Sequence, residues 1–368
     1  MSQIYGVTVG NGWSVGTGWA LGISPALPPV NNFTTPALMN GSNTYANMQS
    51  ITVDSTGLFV AVGYSTNFYP VSATSSDGVT WTTPARMNNS STVAFMTAVT
   101  VNSAGLFVAV GRDNSTAPVY ATSTDGSTWT TPARMNSSGA YAEMQSVTVN
   151  SAGLFVAVGY DNTVAPLYAT SSDGSTWSTP ARMNGSAVAA WMQSVTVNSS
   201  GLFVAVGYDN SAPPYGLPLY ATSSDGSTWT TPVAMNGSAV DANMNEITVS
   251  SAGRFVAVGK DATSRPVAAT STNGSTWTTP ARMNASNVIA VMQSVAVNTS
   301  GEYVAVGRST SNAPLYATST DGVTWTTPAL MNGSTSFANM RSVAVNSAGL
   351  FVSVGVNSGN APLVSASV

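Results

Sequence analysis

The sequence has no cysteine and no histidine among its 368 residues, and its only lysine is Lys260. These absences exclude disulfides, thiolate zinc sites, cysteine nucleophiles and every reaction that needs an imidazole. Charged residues make up only 7% of the chain, against roughly 25% in an average soluble protein. The net charge is −4. No nucleic-acid partner is therefore expected, because phosphate binding needs clustered lysine and arginine side chains.

Long apolar runs are also missing. Unbroken apolar stretches such as Leu106 to Val110 are far too short to cross a bilayer, so no membrane insertion is predicted. No basic residue precedes Arg86, so the N-terminus lacks the charged region of a secretory signal. No segment has a useful helical periodicity, and no motif predicts a cofactor or a metal site.

What the chain does contain is a sevenfold repeat. The phrase Phe/Trp-Thr/Ser-Thr-Pro recurs at intervals of 48, 48, 48, 52, 48 and 48 residues, opening at Phe33, Trp81, Trp129, Trp177, Trp229, Trp277 and Trp325. Each unit also has two methionines nine residues apart, from Met39 and Met48 to Met331 and Met340. Seven such pairs and Met1 account for all 15 methionines, which indicates seven repeat units.

Each unit has the pattern of four short strands. In the third unit these are Gln145 to Asn150, Leu154 to Val158, Leu167 to Ser171 and Thr176 to Ala181. The second strand is apolar on both faces, which is typical of a strand buried between neighbours. Asp173-Gly174 is a strong hairpin signal between the third and fourth strands. Pro180 predicts that the fourth strand lies at an edge, because proline cannot donate to a central ladder.

Units of this size and pattern predict an all-β fold, a seven-bladed β-propeller with four antiparallel strands per blade. The competing interpretation is a linear solenoid. The seventh unit ends at Val368 after three strands, and the missing fourth strand is present at the N-terminus as Phe33 to Met39. Pairing the two ends would close the ring and leave no open array to cap. We therefore predict a propeller over residues 33–368 and a separate Gly/Pro-rich segment over residues 1–32.

The hairpin between the third and fourth strands carries a recognisable motif. In the first unit it reads Ser75-Ser76-Asp77-Gly78-Val79-Thr80-Trp81, and it recurs with Asp125, Asp173, Asp225 and Asp321, while the fifth unit has Asn273. It resembles the Asp-box of sialidase-type propellers, with one residue fewer because Asp and Gly are adjacent. We interpret these residues as structural: the carboxylate accepts turn N–H groups, glycine takes the positive φ, and tryptophan packs under the hairpin.

The resemblance does not extend to catalysis. It would imply an arginine triad, a tyrosine nucleophile with a glutamate partner, and an acid/base aspartate, and none of these maps onto this sequence residue by residue. Four acids follow the second strands of their blades, namely Asp113, Asp161, Asp209 and Asp261. Outside these positions and the Asp-box turns, five acids remain: Asp54, Glu143, Asp241, Glu246 and Glu302. By strand direction only Glu143, Asp241 and Glu246 fall near the face opposite the Asp-boxes. We therefore predict a protein that is not an enzyme, with a glycosidase as the weaker alternative.

The arginines that end fourth strands have a structural interpretation. Three blades have such an arginine together with an aspartate after the second strand, namely Arg134 with Asp113, Arg182 with Asp161, and Arg282 with Asp261. This pattern predicts an ion pair within each of these blades. The functional alternative is a ring of arginines that binds an anionic polymer.

The loops after the second and fourth strands share one face of the propeller and differ between blades, so this variable face is the candidate binding surface. The residue before the second methionine varies most, and Trp191 in the fourth blade suits stacking on a sugar ring. We predict a ligand site formed by Trp191, Tyr215, Asp209, Phe95, Tyr141, Phe337 and Asp241. With few charges available, the composition favours neutral glycans. The alternative is that Trp191 fills a gap near the channel.

Together these patterns favour a non-catalytic module that binds a glycan or another cell-surface polymer, displayed outside a cell or on a virus particle. The alternative is a structural subunit of a virus particle, fibre or surface layer. In that case residues 1–32, which contain Trp13 and Trp19, would dock on other copies or on a particle protein.

Overall fold

The computed structural model describes residues 30, 32–41, 45–185, 188–209, 216–237 and 240–368. They form seven four-stranded antiparallel sheets, which are the blades of the predicted seven-bladed β-propeller. Strand β1 (Ala37–Leu38) pairs with β28 (Pro362–Ala366), so the N-terminal strand completes the seventh blade as predicted. Over these ranges the chain has no α-helix, and none of its helical turns is long and apolar enough to span a membrane.

The first strands of neighbouring blades contact one another around the central channel, and the other strands follow outward. The first strands are β2 (Ala46–Val53), β6 (Ala94–Val101), β10 (Glu143–Val149), β14 (Ala190–Val197), β18 (Ala242–Val249), β22 (Ala290–Val297) and β26 (Asn339–Val345). The second strands are β3 (Phe59–Ser65), β7 (Phe107–Asp113), β11 (Phe155–Tyr160), β15 (Phe203–Asp209), β19 (Phe255–Asp261), β23 (Tyr303–Ser309) and β27 (Phe351–Val356).

The outer half of each blade consists of a six-residue strand, five residues in β28, and a strand of only two residues. The third strands, besides β28, are β4 (Pro70–Ser75), β8 (Pro118–Ser123), β12 (Pro166–Ser171), β16 (Pro218–Ser223), β20 (Pro266–Ser271) and β24 (Pro314–Ser319). The fourth strands, besides β1, are β5 (Ala85–Arg86), β9 (Ala133–Arg134), β13 (Ala181–Arg182), β17 (Val233–Ala234), β21 (Ala281–Arg282) and β25 (Ala329–Leu330).

The predicted length of the fourth strand is wrong. The sequence pattern places it at Thr176 to Ala181, whereas the observed strand is Ala181–Arg182, preceded by an isolated bridge between Ser171 and Trp177. The N–H groups of Ser175 and Thr176 bond to the Asp-box carboxylate instead of a ladder. Pro180 has no N–H to donate, so pairing resumes only beyond it.

The hydrophobic core lies between the blades. At the interface of blades 2 and 3, Val108 and Val110 pack with Met144, Phe155 and Trp177. Both methionines of every pair are at most 1% exposed. Truncating a buried methionine costs about 2–5 kcal/mol, so each methionine pair contributes substantially to the packing between blades.

A hydrogen bond at the outer rim repeats at every blade interface. After each fourth strand the chain makes a short 3₁₀ turn, such as Met183–Gly185, whose central asparagine has a positive φ. The side-chain amide of that asparagine donates to a threonine of the next blade; Asn184 to Thr231 measures 2.7 Å and Asn332 to Thr35 measures 2.9 Å. The second of these bonds ties blade 6 to the N-terminal part of blade 7.

Candidate functional site: the channel mouth

The variable face surrounds the mouth of the channel with fourteen residues, two from each blade, which we call the mouth ring. Each pair consists of the residue before the second methionine on the first strand and its cross-strand partner on the second strand. The pairs are Asn47 with Tyr64, Phe95 with Arg112, Glu143 with Tyr160, Trp191 with Tyr208, Asn243 with Lys260, Val291 with Arg308, and Asn339 with Val356.

Mouth-ring residues also contact each other across blade interfaces. The Tyr64 ring of blade 1 lies edge-on to Phe95 of blade 2, with centroids 5.1 Å apart. Arg112 of blade 2 approaches Glu143 of blade 3, with Nε 3.5 Å from Oε1. A second-strand residue of one blade therefore meets the first-strand residue of the next, and blades 1 to 4 share one continuous surface.

Trp191 stands where two blades meet at this surface. Its ring stacks on Tyr160 of blade 3 (centroids 5.3 Å apart, planes at 25°) and meets Tyr208 edge-on at 5.4 Å. Trp191 lies on a strand and not in the variable loops, because it pairs with Tyr208 and so extends the hairpin of β14 and β15. The indole is half-buried, and its Nε1–H is buried without a hydrogen-bond partner among the described residues.

Beside Trp191 the carboxylate of Glu143 is held by neighbouring donors. Tyr160 donates to Oε2 at 2.8 Å and Tyr141 donates to Oε1 at 3.0 Å, in addition to the approach of Arg112. Burial raises the pKa of both tyrosines, and the adjacent Glu143 raises it further. Both phenols therefore keep their protons at neutral pH and remain donors to the carboxylate.

A second aromatic group adjoins the first on blades 1 and 2. Phe68 lies 4.9 Å from Phe95 between ring centroids and is 43% exposed. The guanidinium of Arg112 lies over the Phe95 ring, 4.1 Å from its centroid. Arg112 thus links the Phe95 group to Glu143, so the two aromatic groups lie on either side of one charged pair.

The structure brings Trp191, Phe95 and Tyr141 into this one surface, and the other described members of the predicted site lie on the same face of the propeller. Asp209 ends β15 and is partly exposed, Asp241 is exposed before β18, and Phe337 is 38% exposed before β26 in blade 7. Tyr215 lies outside the described residues. Sequence reasoning missed the second-strand half of the mouth ring, including Tyr160 and Arg112.

Below the mouth the channel contains a polar cavity of about 150 Å³ lined by first-strand residues. In each blade a β-bulge after the second methionine disturbs the pairing and directs residues such as Gln49 and Gln145 inward. Glu246, predicted to lie near the variable face, lines this cavity instead, with Oε1 accepting from Ser194 Oγ at 2.8 Å. The Glu246 side chain is partly exposed to the cavity but closely surrounded by protein. This desolvation raises the pKa of Glu246 to about 7.

On the opposite face the Asp-box turns are closed networks of hydrogen bonds. The N–H groups of Val79 and Thr80 donate to Asp77 Oδ1 at 2.8 and 2.6 Å, and Gly78 has a φ of 75°. The indole of Trp81 is 3% exposed and donates to the carbonyl of Gly78 at 3.1 Å. The same bonds form at Asp125, Asp173, Asp225 and Asp321.

The three predicted arginine–aspartate pairs are present. The shortest nitrogen–oxygen distances are 2.6 Å for Arg134 to Asp113, 2.7 Å for Arg182 to Asp161, and 2.8 Å for Arg282 to Asp261. Arg86, which faces Ser65 instead of an aspartate, lies over the ring of Tyr69 at 4.1 Å. Within the described residues no cluster of three or more acidic side chains could hold a metal ion.

Comparison with known proteins places the repeat in a family context. Residues 154–334 match the model of the BNR repeat-like domain. No curated protein matches the sequence.

Several solved structures share the fold. The BP39L lectin from Burkholderia pseudomallei is 13% identical, with a TM-score of 0.70 over 88% of this chain and 96% of that chain. A structure of YCF48 bound to D1 peptide is 17% identical, with a TM-score of 0.62 over 93% and 99%. An ulvan lyase of polysaccharide lyase family PL25 is 9% identical, with a TM-score of 0.57 over 92% and 94%.

At these identities the likeness is one of fold, and it spans lectin, peptide-bound and lyase propellers. The resemblance to Asp-box propellers is confirmed by the match of blades 3 to 6 and by the turn geometry. The chain is a seven-bladed β-propeller whose residues 154–334 match the BNR repeat-like domain.

Proposed function

We propose that this propeller is a non-catalytic glycan-binding module and that its site is the mouth-ring surface of blades 1 to 4. The observation that carries the proposal is the buried indole N–H of Trp191, which lies beside the cluster of Glu143, Tyr160 and Tyr141 and has no acceptor in the part of the chain that the structure describes. A buried donor without an acceptor is costly unless water or a ligand satisfies it. A sugar hydroxyl supplies such an acceptor, and carboxylate oxygens of Glu143 accept from other hydroxyls.

The aromatic groups support the same ligand class. Phe68, Phe95 and Trp191 provide apolar ring surface next to hydrogen-bonding groups, which matches the alternation of C–H faces and hydroxyl edges on a sugar. The fold likeness to the BP39L lectin is consistent with this proposal. The Asp-box turns form the same hydrogen bonds in successive blades, so the Asp-box face varies little between blades. We therefore assign glycan recognition to the channel mouth on the other face.

A glycan and polysaccharide array tests the proposal with three proteins. The wild type is compared with Trp191→Ala, which removes the ring, and with Trp191→Phe, which keeps a ring against Tyr160 but removes the N–H. We expect Trp191→Ala to weaken binding at least about 10-fold, as truncating a buried aromatic anchor does. Trp191→Phe is expected to lose less. Phe337→Ala, on the same face but in blade 7, is the positional control and is expected to bind like the wild type.

We further propose that the module acts outside a cell or on a virus particle. The low charge and the lack of cysteine suit an exposed setting. Residues 1–29 lie outside the described residues, so docking of this segment on other copies or a particle protein stays a prediction. A size measurement of the full chain and of a chain lacking residues 1–29 tests it: loss of an assembly only in the shortened chain supports docking.

A further inference from the structure

The two halves of the channel mouth differ in charge. Blades 1 to 4 present the aromatic surface and the paired charges of Arg112 and Glu143, whereas blades 5 to 7 present Lys260 and Arg308 on the mouth ring and Arg341 just inside the channel. Three of the ten basic residues therefore lie on one side of a single opening.

Two of these cations have no carboxylate partner within the described part of the chain. The ion pairs there involve Arg112, Arg134, Arg182 and Arg282, and neither Arg308 nor Arg341. Arg308 Nη1 donates to the amide oxygen of Asn312, and Arg341 Nη1 donates to that of Gln49 at 3.1 Å. Both acceptors are neutral amides, and although the carboxyl group of Glu246 lines the same cavity as Arg341, it forms no ion pair with either arginine in the described part of the chain.

Unsatisfied polar atoms concentrate at the same place. Among the described residues six buried side-chain polar atoms lack a hydrogen-bond partner: Trp191 Nε1, Asn243 Oδ1, Arg265 Nε, Arg308 Nε, Asn339 Oδ1 and Arg341 Nε. Four belong to the mouth ring and Arg341 lines the channel below it, while Arg265 lies in a loop of the same face. Buried polar groups in native proteins are nearly always paired, so this concentration marks a place for water or ligand.

The two guanidinium groups are close enough to influence each other. Desolvation lowers the pKa of Arg341, and the charge of Arg308 lowers it further, while Tyr64 and Tyr45 act in the opposite direction. Two neighbouring, partly desolvated guanidiniums are unfavourable without an anion. Each presents an Nε donor beside its Nη donors, the fork that binds carboxylate or sulfate oxygens in a bidentate manner.

We propose that the glycan is acidic, and that Arg308 and Arg341 bind its carboxylate or sulfate ester while the aromatic surface of blades 1 to 4 binds adjoining sugar. This inference rests on the proposed glycan-binding function and specifies its ligand class. It replaces the neutral glycans that composition favoured, since the few charges of this chain are unevenly placed. The arginines of the fourth strands are not part of the site, because Arg134, Arg182 and Arg282 are paired with aspartates.

The test is binding of purified full-length protein to immobilised polysaccharides in matched sets. Neutral dextran is compared with the uronate polymers alginate and polygalacturonate and with dextran sulfate. The variants are Arg308→Gln and Arg341→Gln, with Arg341→Lys to keep the charge and Arg134→Gln as a control that removes a paired arginine. Thermal unfolding of each variant identifies any that fails to fold. If Arg341→Gln fails to fold, Arg308→Gln still tests the inference.

We expect an acidic polymer to bind and dextran not to bind, with affinity falling as salt rises. Arg308→Gln is expected to weaken binding about 10- to 100-fold, the range for a lost hydrogen bond to a charged group. Arg134→Gln is expected to leave binding unchanged. Preference for uronate or for sulfated polymer identifies the anionic group, and either supports the inference.

Three results would overturn the inference. The first is equal binding of neutral and acidic polymers that is lost in Trp191→Ala but kept by Arg308→Gln and Arg341→Gln. This result would leave the glycan site without its anionic subsite. Binding of an acidic peptide in place of any polysaccharide would reject the glycan as well. Failure to bind any polymer would reject the proposed function itself, and the outcomes therefore separate the two proposals.

Discussion

The hydroxyl of Ser146 in blade 3 accepts a hydrogen bond from the backbone N–H of Val195 in blade 4, at 3.2 Å. Equivalent bonds join blades 1 and 2 through Ser50, blades 4 and 5 through Ser194, blades 6 and 7 through Ser294, and blades 7 and 1 through Ser342. The ring is therefore tied together along its channel as well as at its outer rim.

The two remaining interfaces lack this serine and use another residue. Ala98 occupies the position in blade 2, where Thr97 Oγ1 instead donates to the carbonyl of Met144 in blade 3 at 2.5 Å. Glu246 occupies it in blade 5, where Asn245 Nδ2 donates to the carbonyl of Met292 in blade 6 at 2.8 Å. Each departure from serine thus coincides with a different hydrogen bond between the same blades.

Replacing Ser146 with alanine should lower the free energy of unfolding by about 1–3 kcal/mol, since it leaves the buried N–H of Val195 without its acceptor. Chemical denaturation measures the change. Ser151→Ala, in an exposed turn of the same blade, is the matched control and should change stability by less than about 0.5 kcal/mol. Equal effects of the two variants would mean that the channel serines do not hold the blades together.

Glu246 should make stability depend on pH in the direction opposite to most carboxylates. Its pKa is about 7 in the folded chain against an ordinary value of 4.5, so the folded state binds the proton more tightly. Stability should therefore be highest below about pH 4.5 for this group and fall as pH rises to about 7, by roughly 3 kcal/mol at most. Glu246→Gln should match the wild type at pH 4 and exceed it at pH 8. An unchanged pH slope in the variant would contradict this.

The Asp-box carboxylates should act in the acid range. The N–H groups of Thr80 and Val79 hold the pKa of Asp77 at about 2, and the equivalent bonds lower the pKa of Asp173 and Asp225. A carboxyl group whose pKa is lower in the folded state stabilises the fold at pH values above its unfolded pKa, which is near 3.8. This stabilisation is lost as the pH falls toward the folded pKa of about 2.

The fifth blade provides the matched design, because Asn273 accepts the same two N–H groups at 3.0 and 2.8 Å without titrating. The triple variant Asp77→Asn, Asp173→Asn and Asp225→Asn should unfold at a lower pH than the wild type, as followed by circular dichroism during acid titration. If the acid midpoint does not move, these turns do not control acid stability.

The fold was predictable because it depends on repetition. The interval of the Phe/Trp-Thr/Ser-Thr-Pro phrase and the nine-residue methionine spacing predicted seven units, and the strand pattern over residues 33–39 predicted where the ring closes. The fourth strand was harder to place, because side-chain acceptors such as Asp173 take the N–H groups that a ladder would have used. Local hydrogen-bond competition of this kind leaves no periodicity in the sequence.

Only the first-strand half of the mouth ring was predictable from the sequence. The varied residue before the second methionine drew attention to Trp191, Glu143 and Phe95, but their partners Tyr160 and Arg112 lie on other strands or in the preceding blade. A sequence signal existed, since the residue after the second-strand glycine is Tyr, Arg, Lys or Val where its neighbours barely change. Only the register and the blade order show that the two varied positions meet.

The ion pair of Arg182 and Asp161 should be asymmetric in its contribution to stability. The Arg182 side chain is 38% exposed, so its removal should cost at most about 1 kcal/mol. Asp161 also accepts the N–H groups of Thr163 and Ala165 at 2.8 and 2.9 Å, so Asp161→Ala should cost more. Denaturation of both single variants and the double variant measures the coupling. A larger loss from Arg182→Ala would show that the pair, and not the loop, matters.

The crystal structure of the protein with its strongest-binding saccharide tests the central claim most directly. The account predicts a sugar ring at the channel mouth, with a hydroxyl about 3 Å from Trp191 Nε1 and an acidic group on Arg308 and Arg341. A saccharide bound between outer strands or on the Asp-box face, with the mouth filled only by water, would contradict it.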